Sequence, residues 1–207
     1  HCETLLKLGY GLIMIDVNKS FLDKKYKLLS KKYKKIPILK YYVDISSQVQ
    51  LKKLVKKIKR KNIFIRTIIN NACIDPKPKR NVKNFIKSWD RELNVGLKGA
   101  YLIIELFTKK MINMKDGCII NVASDLSVIA PNQNIYKGVY KNFTKPVTYS
   151  VIKHGIIGMT KYYAVKFAKF NITCNAISPV GVYNNQNKKF VKNLVNLIPM
   201  GRMATTK

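Results

Sequence analysis

Short apolar runs alternate along this chain with longer stretches in which lysines face apolar residues at helical spacing. Leu12-Ile-Met-Ile15, Ile38 to Val43, Ile63 to Ile69, Cys118 to Ala123 and Ile172 to Ile177 are brief and almost continuously apolar, and predict buried strands. Asp16 closes the first run and Asp44 the second. Between them, residues 20–35, 49–60, 88–114 and 147–169 carry helical patterns, with Ser46 or Ser47 placed to cap the second. The first nine residues read as the tail of a further helix ending near Gly9, and the 88–114 region is long enough to bend at Gly96 or Gly99. A polar loop with Pro76 and Pro78 separates Asn70-Asn71-Ala72 from that region. Strands alternating with helices imply an α/β fold built on a doubly wound parallel sheet.

At 207 residues and 47% hydrophobic, the chain has material for one good core, and a single domain over residues 1–207 is expected. No apolar run reaches the ~18 residues of a membrane span, and His1-Cys-Glu-Thr-Leu5 lacks the basic-then-apolar layout of a signal, so a cytoplasmic protein is expected. Cys2, Cys73, Cys118 and Cys174 show no C-x-x-C spacing, and the histidines are His1 and His154. Buried, reduced thiols are therefore expected, and no metal.

The formal charge of +30 raises the question of nucleic acid. Arginine is confined to Arg60, Arg66, Arg80, Arg91 and Arg202, while the lysine clusters Lys24-Lys25, Lys31-Lys32, Lys52-Lys53 and Lys56-Lys57 lie on patterns with Leu28, Leu29, Leu54, Val55 and Ile58 opposite. Such clusters read as solvated helix faces. No specific nucleic-acid function is expected, although this field attracts anionic surfaces non-specifically.

The chemistry gathers at Tyr149-Ser-Val-Ile-Lys153 and at Ser124, which ends the strand Cys118 to Ala123. One helical turn separates Tyr149 from Lys153, so phenol and ammonium project from the same face. A cation within a few ångströms lowers a tyrosine pKa of roughly 10 toward the range useful for proton transfer. Ser124 would stand at the strand's C-terminal edge, where open α/β sheets bind ligands. Tyr162 and Lys166 repeat the spacing, and either pair alone reads equally as a solvated face. At about 100° per residue Tyr162 points some 140° away from Tyr149, so one cleft cannot hold both. Tyr149 follows the long loop from Ser124 and is preferred.

Asp16, Asp44-Ile45, Asn70-Asn71-Ala72, Asn94, Ser124, Tyr149-x-x-x-Lys153 and Asn175-Ala-Ile-Ser-Pro179 follow one another in the order found in short-chain dehydrogenases/reductases, and the chain resembles that family over nearly its whole length. More narrowly, Asn71-Ala-Cys-Ile-Asp-Pro-Lys77, the Ile129-to-Tyr149 loop and Pro199-Met-Gly-Arg-Met-Ala204 are similar to the flagellin-modification oxidoreductases of nonulosonic-acid pathways. The resemblance implies a Rossmann-like enzyme moving hydride between a nicotinamide and a polar, sugar-derived alcohol or ketone, and assembling as a dimer or tetramer. Tyr149 would be the acid/base, Ser124 would bond the substrate oxygen, Lys153 would hold the nicotinamide ribose, and Asn94 would fix a relay water by bending its helix. Asp16 would accept the adenosine-ribose hydroxyls and repel a 2′-phosphate, so NAD is expected over NADP. Asp44 and Ile45 would lie along the adenine, Asn70 and Ala72 along the adenosine ribose, and Pro179, Gly181 and Val182 beside the nicotinamide. Asn132, Asn134, Tyr136 and Tyr140 would form a substrate wall.

The sequence departs from the family in several places. No Gly-x-x-x-Gly-x-Gly turn occurs, and Gly9-Tyr-Gly11 follows a helix rather than a strand, the wrong order for pointing N–H groups at a pyrophosphate. Val180 stands where the family usually has glycine, and 25 residues, about twice the common spacing, separate Ser124 from Tyr149. The chain is expected to be a fragment lacking the family's first strand and C-terminal strand, and inactive by itself for want of a phosphate-binding loop. The Leu12 strand would then pair directly with the Ile63 strand, or a groove would stay open beside Asp16 and Asn70. The other reading is a non-catalytic relic or basic binding module.

Overall fold

A computed structural model describes residues 1–75, 85–141 and 143–206, with the backbone alone at Phe85. The loop prolines Pro76 and Pro78, Lys77 and Lys207 lie outside the described residues. Two compact units make up the chain, residues 1–63 and 64–207.

The first unit runs α1 (Cys2–Lys7), β1 (Leu12–Asp16), α2 (Lys19–Lys32), β2 (Ile38–Tyr42) and α3 (Gln48–Arg60). Strands β1 and β2 are parallel, with Leu12 opposite Ile38. Asn18 caps α2 by accepting the Phe21 N–H (2.9 Å), and Ser47 caps α3 through Gln50 N (3.4 Å). On α3, Leu51, Leu54 and Ile58 are buried at helical spacing while the lysines between them stay in water. Leu6, Leu12, Leu29 and Ile38 form one core cluster. The helix α3 ends where Asn62 turns left-handed (φ 50) and the Ile63 N–H folds back onto Ile58 O (3.4 Å).

That closure corrects one expectation. Ile63 serves the end of a helix, so the next strand starts only at β3 (Thr67–Asn70). The described strands form two sheets, β1-β2 and β3-β4-β5, and the expected ladder between the Leu12 and Ile63 strands is not among them.

The second unit continues with α4 (Phe85–Leu93), a π-turn (Asn94–Lys98), α5 (Gly99–Phe107), α6 (Lys109–Met114), β4 (Gly117–Val122), short 3-10 turns at Asp125–Ser127 and Gln133–Tyr136, α7 (Val147–Ala168), β5 (Ile172–Ile177) and α8 (Lys188–Val195). Strand β4 is central and parallel to both neighbours, with Ile119 and Asn121 fully buried. The bend expected at Gly96 or Gly99 is the π-turn. A Cβ on Gly96 would come within 2.8 Å of Ile152 Cγ2, so only glycine lets the turn sit this close to α7. Ala100, Ala123, Ile152 and Ile156 then close the core around it, each large side chain contributing about 1.5–3 kcal/mol on burial. Helix α8 has no counterpart among the predicted elements.

Candidate active site

The end of β4, the π-turn and the first two turns of α7 meet in the second unit. Ser124 follows β4 with extended backbone (φ −168°), buried to 6% exposure, and its Oγ accepts the Leu126 N–H at 3.2 Å. The same hydroxyl donates to Asp125 Oδ1 at 2.7 Å, so a substrate oxygen would have to take that proton from Asp125. Asp125 N donates to Pro179 O (3.2 Å), which ties the segment after β5 to the Ser124 turn. Tyr149 and Lys153 stand one turn apart on α7, with the ammonium 5.6 Å from the ring centroid. Lys153 is 4% exposed and donates to Val122 O at 2.7 Å.

The electrostatics differ from the sequence expectation. Burial holds the Tyr149 phenol above the usual tyrosine range; hydrogen bonding with Ser124 pulls it back, and Asp75, Cys73 and Asp125 push it further up. The expected lowering by Lys153 does not dominate, because the motif lysine is aimed at a carbonyl rather than at the phenol. Burial pushes Lys153 itself down. Both members of the pair are therefore biased toward their neutral forms.

Asn94 opens the π-turn and is half-buried, with Gly96 two residues on pressed against Ile152 of α7. Buried Glu92 accepts a hydrogen bond from the Thr148 hydroxyl, a second tie from α4 to the residue before Tyr149. Asn70 is engaged inward: its Nδ2 donates to Asn121 Oδ1 (2.8 Å), and Asn121 passes the bond to Thr160 Oγ1 (2.9 Å). Ala72 is exposed. Gly181 lies under α8, where a Cβ would meet Leu194 Cδ2 at 2.7 Å, and Val182 pairs with Ala204 in a parallel bridge. Asp16, Asp44 and Ile45 belong to the first unit, half-buried. Asp16 Oδ1 accepts from Asn18 N (2.8 Å), and Asp44 Oδ1 accepts from Ser46 N (2.9 Å) and Ser46 Oγ (2.7 Å). Among the described residues no cluster of metal-binding side chains occurs.

The expected wall changes composition. Asn132 and Asn134 are exposed, but Tyr136 is buried in an aromatic cluster, stacked on Phe190 of α8 (5.6 Å) and edge-on to Phe143 (4.8 Å). Its phenol is pushed up to about 12, chiefly by burial. The neutral phenol is the favoured form, so its contribution is whole below pH 10 and is lost as pH rises through about 12. Across that window the wild type should lose about 1–2 kcal/mol more stability than Tyr136→Phe in urea melts. Equal pH dependence of the two would place the phenol in water.

The sequence pattern did not single out Gln133, Lys145 or Glu92, and Asp75 entered only within the Asn71-to-Lys77 motif; Asp75 and Gln133 bond to Lys145 just before α7, and Glu92 bonds to Thr148 in its first turn. Lys145 and Gln133 lie in a loop without periodicity, and Glu92 looks like one more polar residue of a surface helix.

A family model described as enoyl-(acyl carrier protein) reductase matches residues 2–207. The chain belongs to the short-chain dehydrogenase/reductase family. A 3-oxoacyl-[acyl-carrier-protein] reductase of Thermotoga maritima is 29% identical over 202 residues, covering 95% of this chain and 75% of the relative. An NAD-dependent glycerol dehydrogenase of Listeria innocua is 30% identical over 167 residues, 78% of this chain and 61% of the relative. In fold, the chain is similar to a gluconate 5-dehydrogenase from Burkholderia cenocepacia in complex with NADP and tartrate, with a TM-score of 0.79 at 19% identity over 98% of this chain and 76% of the other. This dehydrogenase/reductase chain is thus an α/β protein of parallel sheets, and among the described residues no helix is long and apolar enough to cross a membrane.

Proposed function

We propose that this family member is a cytoplasmic, nicotinamide-dependent oxidoreductase acting on a polar, sugar-derived alcohol or ketone, with Tyr149 as its acid/base and residues 1–207 serving as one dehydrogenase domain. The observation that carries this reading is the convergence of Ser124, Tyr149 and Lys153 beside the π-turn that begins at Asn94. The residues suit a nicotinamide ribose: Lys153 is a buried ammonium with three donors, one of them on Val122 O. The nicotinamide, when bound, supplies or accepts the hydride. Ser124 then hydrogen-bonds the reacting oxygen, Tyr149 Oη gives or takes its proton, and Lys153 orients the ribose and favours the phenolate. Asn94, at the bend, would hold a relay water. Names of relatives support the substrate class, since glycerol and gluconate dehydrogenases act on hydroxylated carbon chains. The narrower kinship with flagellin-modification oxidoreductases rests on the Ile129-to-Tyr149 loop and on Pro199–Ala204, and a homo-oligomer belongs to the same reading.

A protein in which the family's glycine-rich turn precedes residues 1–207 should oxidise NADH with polyhydroxylated ketones, followed as loss of nicotinamide absorbance. Turnover of a 3-oxoacyl thioester with none of the sugar-like ketones would move the site to the chemistry named for the Thermotoga relative. Salt-sensitive RNA binding with no nucleotide affinity would favour the basic binding module instead.

Cofactor choice follows from Asp16, whose carboxylate would accept ribose hydroxyls and oppose a 2′-phosphate. Asp16→Ser should weaken NAD and strengthen NADP, shifting the Kd ratio about tenfold or more toward NADP. A wild type that already prefers NADP would show that Asp16 does not face the ribose.

A further inference from the structure

Among the described residues, two ammonium groups lie near the Tyr149 ring, and the nearer one is not from its own motif. Lys145 Nζ lies 3.9 Å from the ring centroid, against 5.6 Å for Lys153. Lys145 is held at both ends. Its backbone N–H donates to Gln133 Oε1 (2.8 Å) and its carbonyl accepts from Gln133 Nε2 (3.2 Å), the two-way pairing that a neighbouring strand would offer. Its ammonium donates to Asp75 Oδ1 at 2.5 Å. The Lys145 side chain is only 11% exposed, in a chain whose lysines mostly stand in water. Turning an ammonium inward from a loop sacrifices hydration that a solvent-facing rotamer would keep, so the contacts waiting for it are the reason it is there.

We propose that Lys145 is a positioning residue for Tyr149: clamped by Gln133 and Asp75, its ammonium holds the phenol ring by its face and favours the ring's anionic form. This inference rests on reading Tyr149 as the acid/base. A cation over an aromatic face is attracted by the ring's negative π-cloud, and a phenolate ring carries more negative charge than a phenol, so the contact strengthens as the proton leaves. Asp75 sets how much of that cation the ring feels. Ionisable groups face Tyr149 from each surrounding segment: Cys73 and Asp75 after β3, Asp125 after β4, Tyr136 and Lys145 in the long loop, and Lys153 on α7 itself. Asp75, Cys73 and Asp125 all oppose ionisation of the phenol while the Ser124 hydrogen bond favours it, and the two ammonium groups over the ring would act on the same side as Ser124. The long connection from Ser124 to Tyr149 thus supplies both the clamp and the cation.

Titration of Tyr149 in the 207-residue chain tests this without cofactor or turnover. Tyrosine labelled with carbon-13 at Cζ, with the Tyr149 signal assigned by its loss in Tyr149→Phe, reports the ionisation midpoint directly. Lys145→Gln should raise the midpoint by roughly half a pH unit or more, and Lys145→Arg should restore it. Asp75→Asn, at a residue that is half-exposed and expected to fold normally, should lower the midpoint by freeing the cation. Gln133→Ala should move it in the same direction as Lys145→Gln although the lysine is still present. A midpoint unmoved in Lys145→Gln, or Asp75→Asn and Lys145→Gln shifting it in the same direction, overturns the proposal. Because this titration does not depend on NADH oxidation, failure of the oxidoreductase reading would leave it intact.

Discussion

Tyr149→Phe is expected to reduce hydride transfer by about a thousandfold, within the range typical of losing a positioned acid/base group. The ring stays, and with it the face that Lys145 covers and the helix turn that presents Lys153, so in a protein carrying the family's glycine-rich turn NAD should still raise the melting temperature of the variant. Only the proton carrier is removed. Tyr162→Phe is the matched control: Tyr162 is 62% exposed, and the lysine at its i+4 position, Lys166, is paired with Glu105. Turnover should be unchanged there within a factor of two or so. Steady-state nicotinamide absorbance on both variants decides the matter. Comparable losses from the two changes, or turnover surviving Tyr149→Phe, would remove Tyr149 from the mechanism.

Gly96→Ala should destabilise the protein by about 1–3 kcal/mol and lower turnover as well. A methyl at this position would stand 2.8 Å from Ile152 Cγ2, 3.1 Å from Ile152 Cδ1 and 3.4 Å from Cys73 Sγ. Ile152 is 1% exposed in the core of α7 and has nowhere to retreat, so the π-turn and α7 must separate. That separation would carry Asn94 away from Tyr149 and Lys153. Gly158→Ala gives the opposite sign from the same chemical change. Gly158 lies within α7 with nothing inside 4 Å of a new Cβ, so alanine should stabilise by about 0.5–1 kcal/mol through helix propensity alone. Thermal melts of both variants, and of Gly96→Ala combined with Ile152→Ala, measure the steric coupling. Strict additivity in the double variant would show that the two side chains do not meet.

Much of the fold was legible because its signals are local. The run Leu12–Ile15 is a strand because nothing in it has a polar face to turn outward, Ile172–Ile177 because exposed Thr173 and Asn175 alternate with buried Ile172 and Cys174, and α3 is a helix because Leu51, Leu54 and Ile58 recur on one side of a lysine-rich cylinder. The placement of Tyr149 and Lys153 on one helical face, and of Ser124 just past β4, also follows from spacing alone. What spacing could not determine is direction and burial. Lys153 points at the Val122 carbonyl, and burial is the largest influence on the Tyr149 phenol, an outcome that depends on every atom packed around it. The start of β3 was misplaced by four residues because a left-handed Asn62 draws the Ile63 N–H into closing α3, a backbone event with no hydrophobic signature. Tyr136 left the expected wall for an aromatic cluster because Phe190, 54 positions away in sequence, lies beneath it. The Gln133–Lys145–Asp75 clamp joins three residues from aperiodic segments, and only tertiary structure brings them to Tyr149: local sequence sets which elements form, while the cost of leaving buried polar groups unpaired decides where their side chains end.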